Sequence, residues 1–128
     1  MNYKIVPTDN FESKFKLLSK KYRSLFDDLE QFKQELLKNP TMGDDLGDGS
    51  TDSTSSPTTG SPTVRKVRMA IASKNKGKRG GARVITLNLL IDIENTKIYL
   101  LTIYDKGEKD SISKEEILHL KIICGLTE

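Results

Sequence analysis

Val64-Arg65-Lys66-Val67-Arg68-Met69-Ala70-Ile71 opens the part of the chain in which apolar residues recur at every second position. Val67, Met69 and Ile71 alternate with Lys66, Arg68 and Ala70, the period of an extended strand whose side chains point to opposite faces. The period returns over residues 82–92, where Ile85, Leu87, Leu89 and Ile91 share one face, and over residues 97–104, rich in β-branched and aromatic side chains. Ser73-Lys74-Asn75-Lys76-Gly77-Lys78-Arg79-Gly80-Gly81 joins the first two runs, and Glu94-Asn95-Thr96 turns between the second and third. Three consecutive strands with such short connections pair as an antiparallel meander.

Outside this region the period is helical. Residues 3–7 read as a short strand ended by Pro7. Asp9 and Glu12 have capping-box spacing, and Phe11, Phe15 and Leu18 then share one helix face. A second stripe, Tyr22, Leu25, Phe26, Leu29, Phe32 and Leu36, reads as core and runs to Asn39-Pro40, which stops it. Ser113 and Glu116 form another capping box before a short helix with Ile117, Leu120 and Cys124 inward and Gly125 as its C-cap. The order β-α-α-β-β-β-α predicts an α+β fold: a meander sheet with the two N-terminal helices on one face, and a second face, holding Lys66 and Arg68, open to a ligand. Arg83 shares the parity of Ile85 and Leu87, the inward set, so a bulge or strong twist beside Gly80-Gly81 is needed to bring it to that open face.

At 128 residues the chain is expected to be a single domain, 1–128, interrupted at about residues 48–63 by a flexible Ser/Thr/Pro-rich insertion, native or engineered, that offers no side chain to a core. The apolar run at residues 87–93 is broken by Asn88 and Asp92 and is too short for a membrane span. Residues 1–7 lack the apolar core of a signal peptide, so the expected location is cytoplasmic. One histidine, His119, and one cysteine, Cys124, leave no metal-ligand spacing and no internal disulfide; Cys124 reads as a small apolar residue.

Charge is the second signal. Between Ser53 and Ile91 there is no Asp or Glu, yet Arg65, Lys66, Arg68, Lys74, Lys76, Lys78, Arg79 and Arg83 all fall there. The whole chain carries only +3, so the remainder is net acidic. Such a concentration of cations attracts a polyanion, and a nucleic-acid backbone is the chemistry it fits.

Several strings carry a resemblance: Asn39-Pro40-Thr41 with Gly43, Arg65-Lys66-Val67-Arg68, Ser73 to Gly81 followed by Ala82-Arg83-Val84-Ile85, and Tyr99-Leu100-Leu101-Thr102-Ile103-Tyr104-Asp105-Lys106. Over residues 3–47 and 64–124 the chain resembles the RelE/ParE superfamily of bacterial toxins, closest to the HigB-like branch of RelE-type toxins. The resemblance implies a toxin of a type II toxin–antitoxin system that inhibits translation. Such a toxin is an mRNA interferase, a ribosome-dependent endoribonuclease in which the substrate's own 2′-hydroxyl attacks the adjacent phosphorus. It needs no metal and no other cofactor.

Carried over by position, Lys66 and Arg68 match the paired cations of the first meander strand, and Arg83 matches the arginine of the next. Arg83 is then expected on the non-bridging phosphate oxygens, Arg68 to act electrostatically, and Lys66, crowded by cations, to transfer a proton. The sequence departs from the family at Asp110-Ser111-Ile112-Ser113, where several members carry a tyrosine or histidine. Tyr104 is the candidate to stack on a base in its place. Lys106 and Lys109 stand in for a phosphate-binding arginine, and the proton donor to the leaving oxygen stays open. Arg65, Lys74, Lys76, Lys78 and Arg79 are expected to touch RNA or the ribosome with flexible side chains.

The implied partners are the ribosome with its mRNA and a cognate antitoxin, HigA-like or RelB-like, with no membrane. The chain has no helix-turn-helix with which to read operator DNA itself. Two other readings stay open. One is a ParE-like gyrase inhibitor acting by protein contact; the other is a non-catalytic RNA-binding relic.

Overall fold

The structure is a computed structural model and describes residues 2–47, 62–109 and 111–126. Most of the expected insertion, residues 48–61, therefore lies outside the described residues. Its last two positions do not behave as insertion: Pro62 and Thr63 begin a strand and pair with Leu89 and Asn88.

The elements run β1 (Asn2–Pro7), α1 (Asp9–Ser19), α2 (Leu25–Lys38), β2 (Asp44–Asp45), β3 (Pro62–Met69), a 3₁₀ turn (Ala72–Lys74), α3 (Gly77–Gly80), β4 (Ala82–Leu90), β5 (Asn95–Asp105) and α4 (Lys114–Ile123). The fold is α+β. The expected meander is present: β3, β4 and β5 are antiparallel neighbours. It is extended at both edges into a five-stranded mixed sheet, β1-β5-β4-β3-β2, because β1 lies parallel on β5 and β2 antiparallel on β3. Periodicity does not reveal β2, which is two residues long. It sets Asp44 and Asp45 opposite Lys66 and Arg65, after Gly43 passes the Lys66 carbonyl so closely that a Cβ would lie 2.6 Å from its oxygen.

Helices α1 and α2 cover one sheet face, as expected. Phe11, Phe15, Leu18, Leu25, Leu29, Phe32 and Leu36 pack on Val67, Met69, Val84, Ile98, Leu100 and Ile103. Two members of the expected stripe differ. Phe26 is 65 % exposed and meets Phe15 edge-on at 5.1 Å, while Tyr22 is half-buried and turns its hydroxyl to Asp105. Capping differs too. Thr8, not Asp9, is the α1 N-cap and accepts from Phe11 N, whereas the Ser113–Glu116 box opens α4 with both bonds made.

The main correction concerns the second face. It is not wholly open: α4 packs on it, and Val64, Ile85, Leu87, Leu101, Ile117 and Leu120 form a second core there, with Cys124 half-buried beside it. Strand β4 is thus buried on both faces, Val84 toward α1 and α2 and Ile85 toward α4. No bulge is needed to place Arg83, because its parity mates Ile85 and Leu87 already belong to the Lys66 and Arg68 face. The register shift falls instead opposite Ile85/Thr86, where Leu101 of β5 is the extra residue.

Candidate nucleic-acid interface

The register assembles three of the expected site residues in a line. Arg68 of β3 stands opposite Arg83 of β4, and Arg83 opposite Tyr104 of β5. Adjacent strands lie about 4.8 Å apart, so the row crosses about 10 Å of one sheet face. Lys66 sits on that face two residues before Arg68, opposite Ile85. Arg68 is exposed, and no acidic side chain among the described residues pairs with it. Lys66 differs: Asp44 lies 3.9 Å away, a counter-ion that offsets the crowding by like charges.

Arg83 is 5 % exposed. Its guanidinium donates to Lys78 O at 3.2 Å, Arg79 O at 3.0 Å and Ala82 O at 3.2 Å, so it ties down otherwise orphaned carbonyls of the short helix α3. Burial, and then the Arg68 charge, hold its pKa below the ordinary arginine value. Arg83 thus lends positive charge to the face while its donors hold the loop. Tyr104 is half-buried, and its hydroxyl is buried without a hydrogen-bond partner among the described residues. Burial pushes its pKa up; Arg83 works against the rise and Glu116 adds to it. Lys109 Nζ lies 5.8 Å from the centroid of its ring.

The basic loop is anchored rather than flexible. Lys74 reaches inward and, with Tyr22, hydrogen-bonds the carboxylate of Asp105, a residue only 2 % exposed. Gly107 N adds a bond at 2.9 Å, and Lys21 Nζ lies 3.5 Å away. Burial alone would raise the Asp105 pKa; the bonds from Lys74, Tyr22 and Gly107 outweigh it and hold the carboxyl well below the usual range. Ala72 N donates to Asp28, Ser73 N to Ser24 Oγ, and Lys78 pairs with Glu35 at 2.8 Å. Asn75 and Gly77, both at positive φ, complete the turn. Of the expected RNA contacts, then, Lys74 is a structural anchor and Lys78 a surface ion pair. Lys109 pairs with Glu116, and Arg65 is half-buried with one nitrogen unpartnered. Lys106 is half-buried at the end of β5, where its backbone N donates to Gly81 O at 3.0 Å. Lys76 and Arg79, like Arg68, are exposed.

Sequence reasoning missed the acids. Asp105 carried a signal, an acidic residue closing an apolar strand, where burial demands partners. Asp44 and Glu35 are distant in sequence from Lys66 and Lys78, the cations they meet, and no local pattern links them, while Glu116 is legible only as a helix cap and not as the partner of Lys109. Beyond Tyr104 the face opens into a cleft of about 520 Å³ between α1, α4 and the end of β5, and His119 lines it. Among the described residues no group of histidine, cysteine and carboxylate side chains could hold a metal ion, and no helix is long and apolar enough to cross a membrane. No protein-family model matches this sequence.

Proposed function

We propose that this chain is a metal-independent endoribonuclease that cuts mRNA on the ribosome, in the manner of the RelE-type toxins it resembles. The observation that carries the reading is the cross-strand row, with Arg68 exposed and paired with no acid among the described residues, beside the buried charge of Arg83. A phosphodiester on this row meets one exposed guanidinium fork and a second fixed positive charge below it. The substrate's 2′ oxygen forms its bond to phosphorus as the bond to the 5′ oxygen breaks. One proton leaves the 2′-hydroxyl and one reaches the departing oxygen, giving a cyclic phosphate and a free 5′-hydroxyl. Arg68 and Arg83 stabilise the charge that develops on the phosphoryl oxygens. Lys66, as its neutral amine, is the candidate to take the 2′-hydroxyl proton, and Asp44, 3.9 Å away, holds its side chain in place. Lys76 and Arg79 extend the positive surface for ribosomal RNA, and a cognate antitoxin would neutralise the chain by laying acidic side chains over them and Arg68.

One observation favours a second reading, a non-catalytic RNA binder: the Arg83 donors are already engaged by loop carbonyls. Cleavage of mRNA on programmed ribosomes, with naked mRNA as control, separates the two. We expect cutting only on ribosomes, and a loss on the order of 100-fold in Arg68→Ala, the usual cost of removing one charge-stabilising donor. Binding without cutting by the folded protein would sink the enzymatic reading. Neither binding nor cutting would turn the inquiry to gyrase supercoiling.

A further inference from the structure

We infer that the cleft beyond Tyr104 is a nucleobase subsite, seating the base of the nucleotide whose phosphate rests on the Arg68–Arg83 row. The inference rests on the phosphate reading of that row. Its location follows from how β5 is covered. Strand β1 pairs with β5 only as far as Leu100, so the last part of β5 has a bare edge. The cleft of about 520 Å³ lies along that edge, within the range of about 300–1,000 Å³ typical of small-ligand sites. Tyr104 belongs to both places: it faces Arg83 in the register and it lines the cleft. One strand spacing, about 4.8 Å, separates Arg83 from Tyr104, where the cleft begins.

The lining suits a flat heterocycle better than a second phosphate. Ile112, Leu120 and Ile123 supply apolar wall, and Asn10 and His119 supply polar rim. Charge nearly cancels. Lys109 is paired with Glu116, leaving Lys14 and Glu115 as the other ionic groups on the walls. The side chain of Ile103 is packed in the helix-side core, so what that residue offers the cleft is its main chain, a donor and an acceptor of the kind that reads base edges. The Tyr104 hydroxyl is buried without a partner among the described residues, a group that a bound ligand could satisfy. An extended peptide adding to the β5 edge is the rival occupant. It is disfavoured because the bare stretch is short and its first carbonyl, Leu101 O, is already taken by Asn10 Nδ2 at 2.9 Å.

His119 is the only histidine in the chain and it lines this cleft, so its ring protons give a single unambiguous NMR signal there. The test titrates the full chain with 2′-O-methyl trinucleotides, which cannot be cut, of four base compositions. An abasic trimer and a short strand-forming peptide serve as the other probes. We expect at least one base-bearing trimer to move the His119 signal saturably and to bind at least 10-fold tighter than the abasic trimer. Ile123→Trp, at a half-exposed wall position, should erase that 10-fold difference while leaving abasic binding unchanged. Equal binding of base-bearing and abasic trimers with a silent His119 overturns the subsite and spares the phosphate row. No binding of any trimer overturns both. A shift produced by the peptide alone makes the cleft a peptide site and ends the proposal.

Discussion

The basic segment interleaves two sets of cations that are held differently. In one, Lys74 is sunk onto Asp105, Lys78 is paired with Glu35, and the Arg83 guanidinium is spent on main-chain carbonyls. In the other, Arg68, Lys76 and Arg79 stand exposed. Composition counts all six alike, as positive charges in a stretch without acids. The fold separates them by bringing acids from α2 and the end of β5, far away in sequence. One group of cations gives the surface its shape; the other gives it exposed charge. A preorganised platform holds its exposed charges in place before a polyanion arrives, so less ordering cost falls on binding.

Breaking the anchored group should give the largest change. Asp105→Ala strands Lys74 and releases Tyr22, and breaking a buried pair by removing one partner costs about 3–5 kcal/mol. Urea unfolding measures it, and a loss below about 1 kcal/mol would mean the clamp is not a structural element. The pH dependence has a definite sign. The folded carboxyl lies well below its unfolded value of about 4. Its stabilisation is therefore complete above about pH 4 and is lost as pH falls through the folded value. Asp105→Asn should flatten that acid limb of the stability curve.

Arg83→Ala comes next. It removes the donors that close α3, with an expected cost of about 1–3 kcal/mol for the carbonyls left behind. It also unseats the loop that carries Lys76 and Arg79, so lost RNA binding in this variant cannot by itself identify Arg83 as a phosphate ligand. Arg68→Ala sharpens the contrast from the other side. Being exposed and, among the described residues, without an acidic partner, it should change stability by no more than about 0.5 kcal/mol, while RNA affinity falls and the slope of log affinity against log salt drops by about 1. A stability loss as large as that of Arg83→Ala would erase the distinction between the two groups.

The sheet and its helices were largely legible because apolar periodicity is local. Alternation at Val67, Met69 and Ile71 and the stripe through Leu29, Phe32 and Leu36 each need only a few neighbouring residues to be read. What escaped was set by distance. The parallel pairing of β1 with β5 joins positions such as Ile5 and Ile98. The two-residue strand at Asp44 has no period to detect. The placement of Arg83 was misjudged for a related reason. One apolar face per strand was assumed, whereas β4 is apolar on both, with Val84 under α1 and α2 and Ile85 under α4. Once α4 is given a core of its own, simple alternation puts Arg83 beside Arg68 with no bulge.

The smallest effect belongs where the two regions meet. Tyr104 faces Arg83 across the strands, yet its buried hydroxyl has no partner among the described residues. A buried polar group without a hydrogen bond is a cost to the fold, and replacing it by an apolar group of the same shape is neutral or mildly stabilising. Tyr104→Phe should therefore leave the unfolding free energy unchanged or raise it by up to about 1 kcal/mol, the reverse in sign of every anchored-group substitution. The same variant should weaken RNA binding or cutting if the hydroxyl is kept for a ligand. Unfolding and RNA binding measured on one preparation give both signs. A clear destabilisation by Tyr104→Phe would show that the hydroxyl is satisfied in the free protein and would place Tyr104 with the structural group.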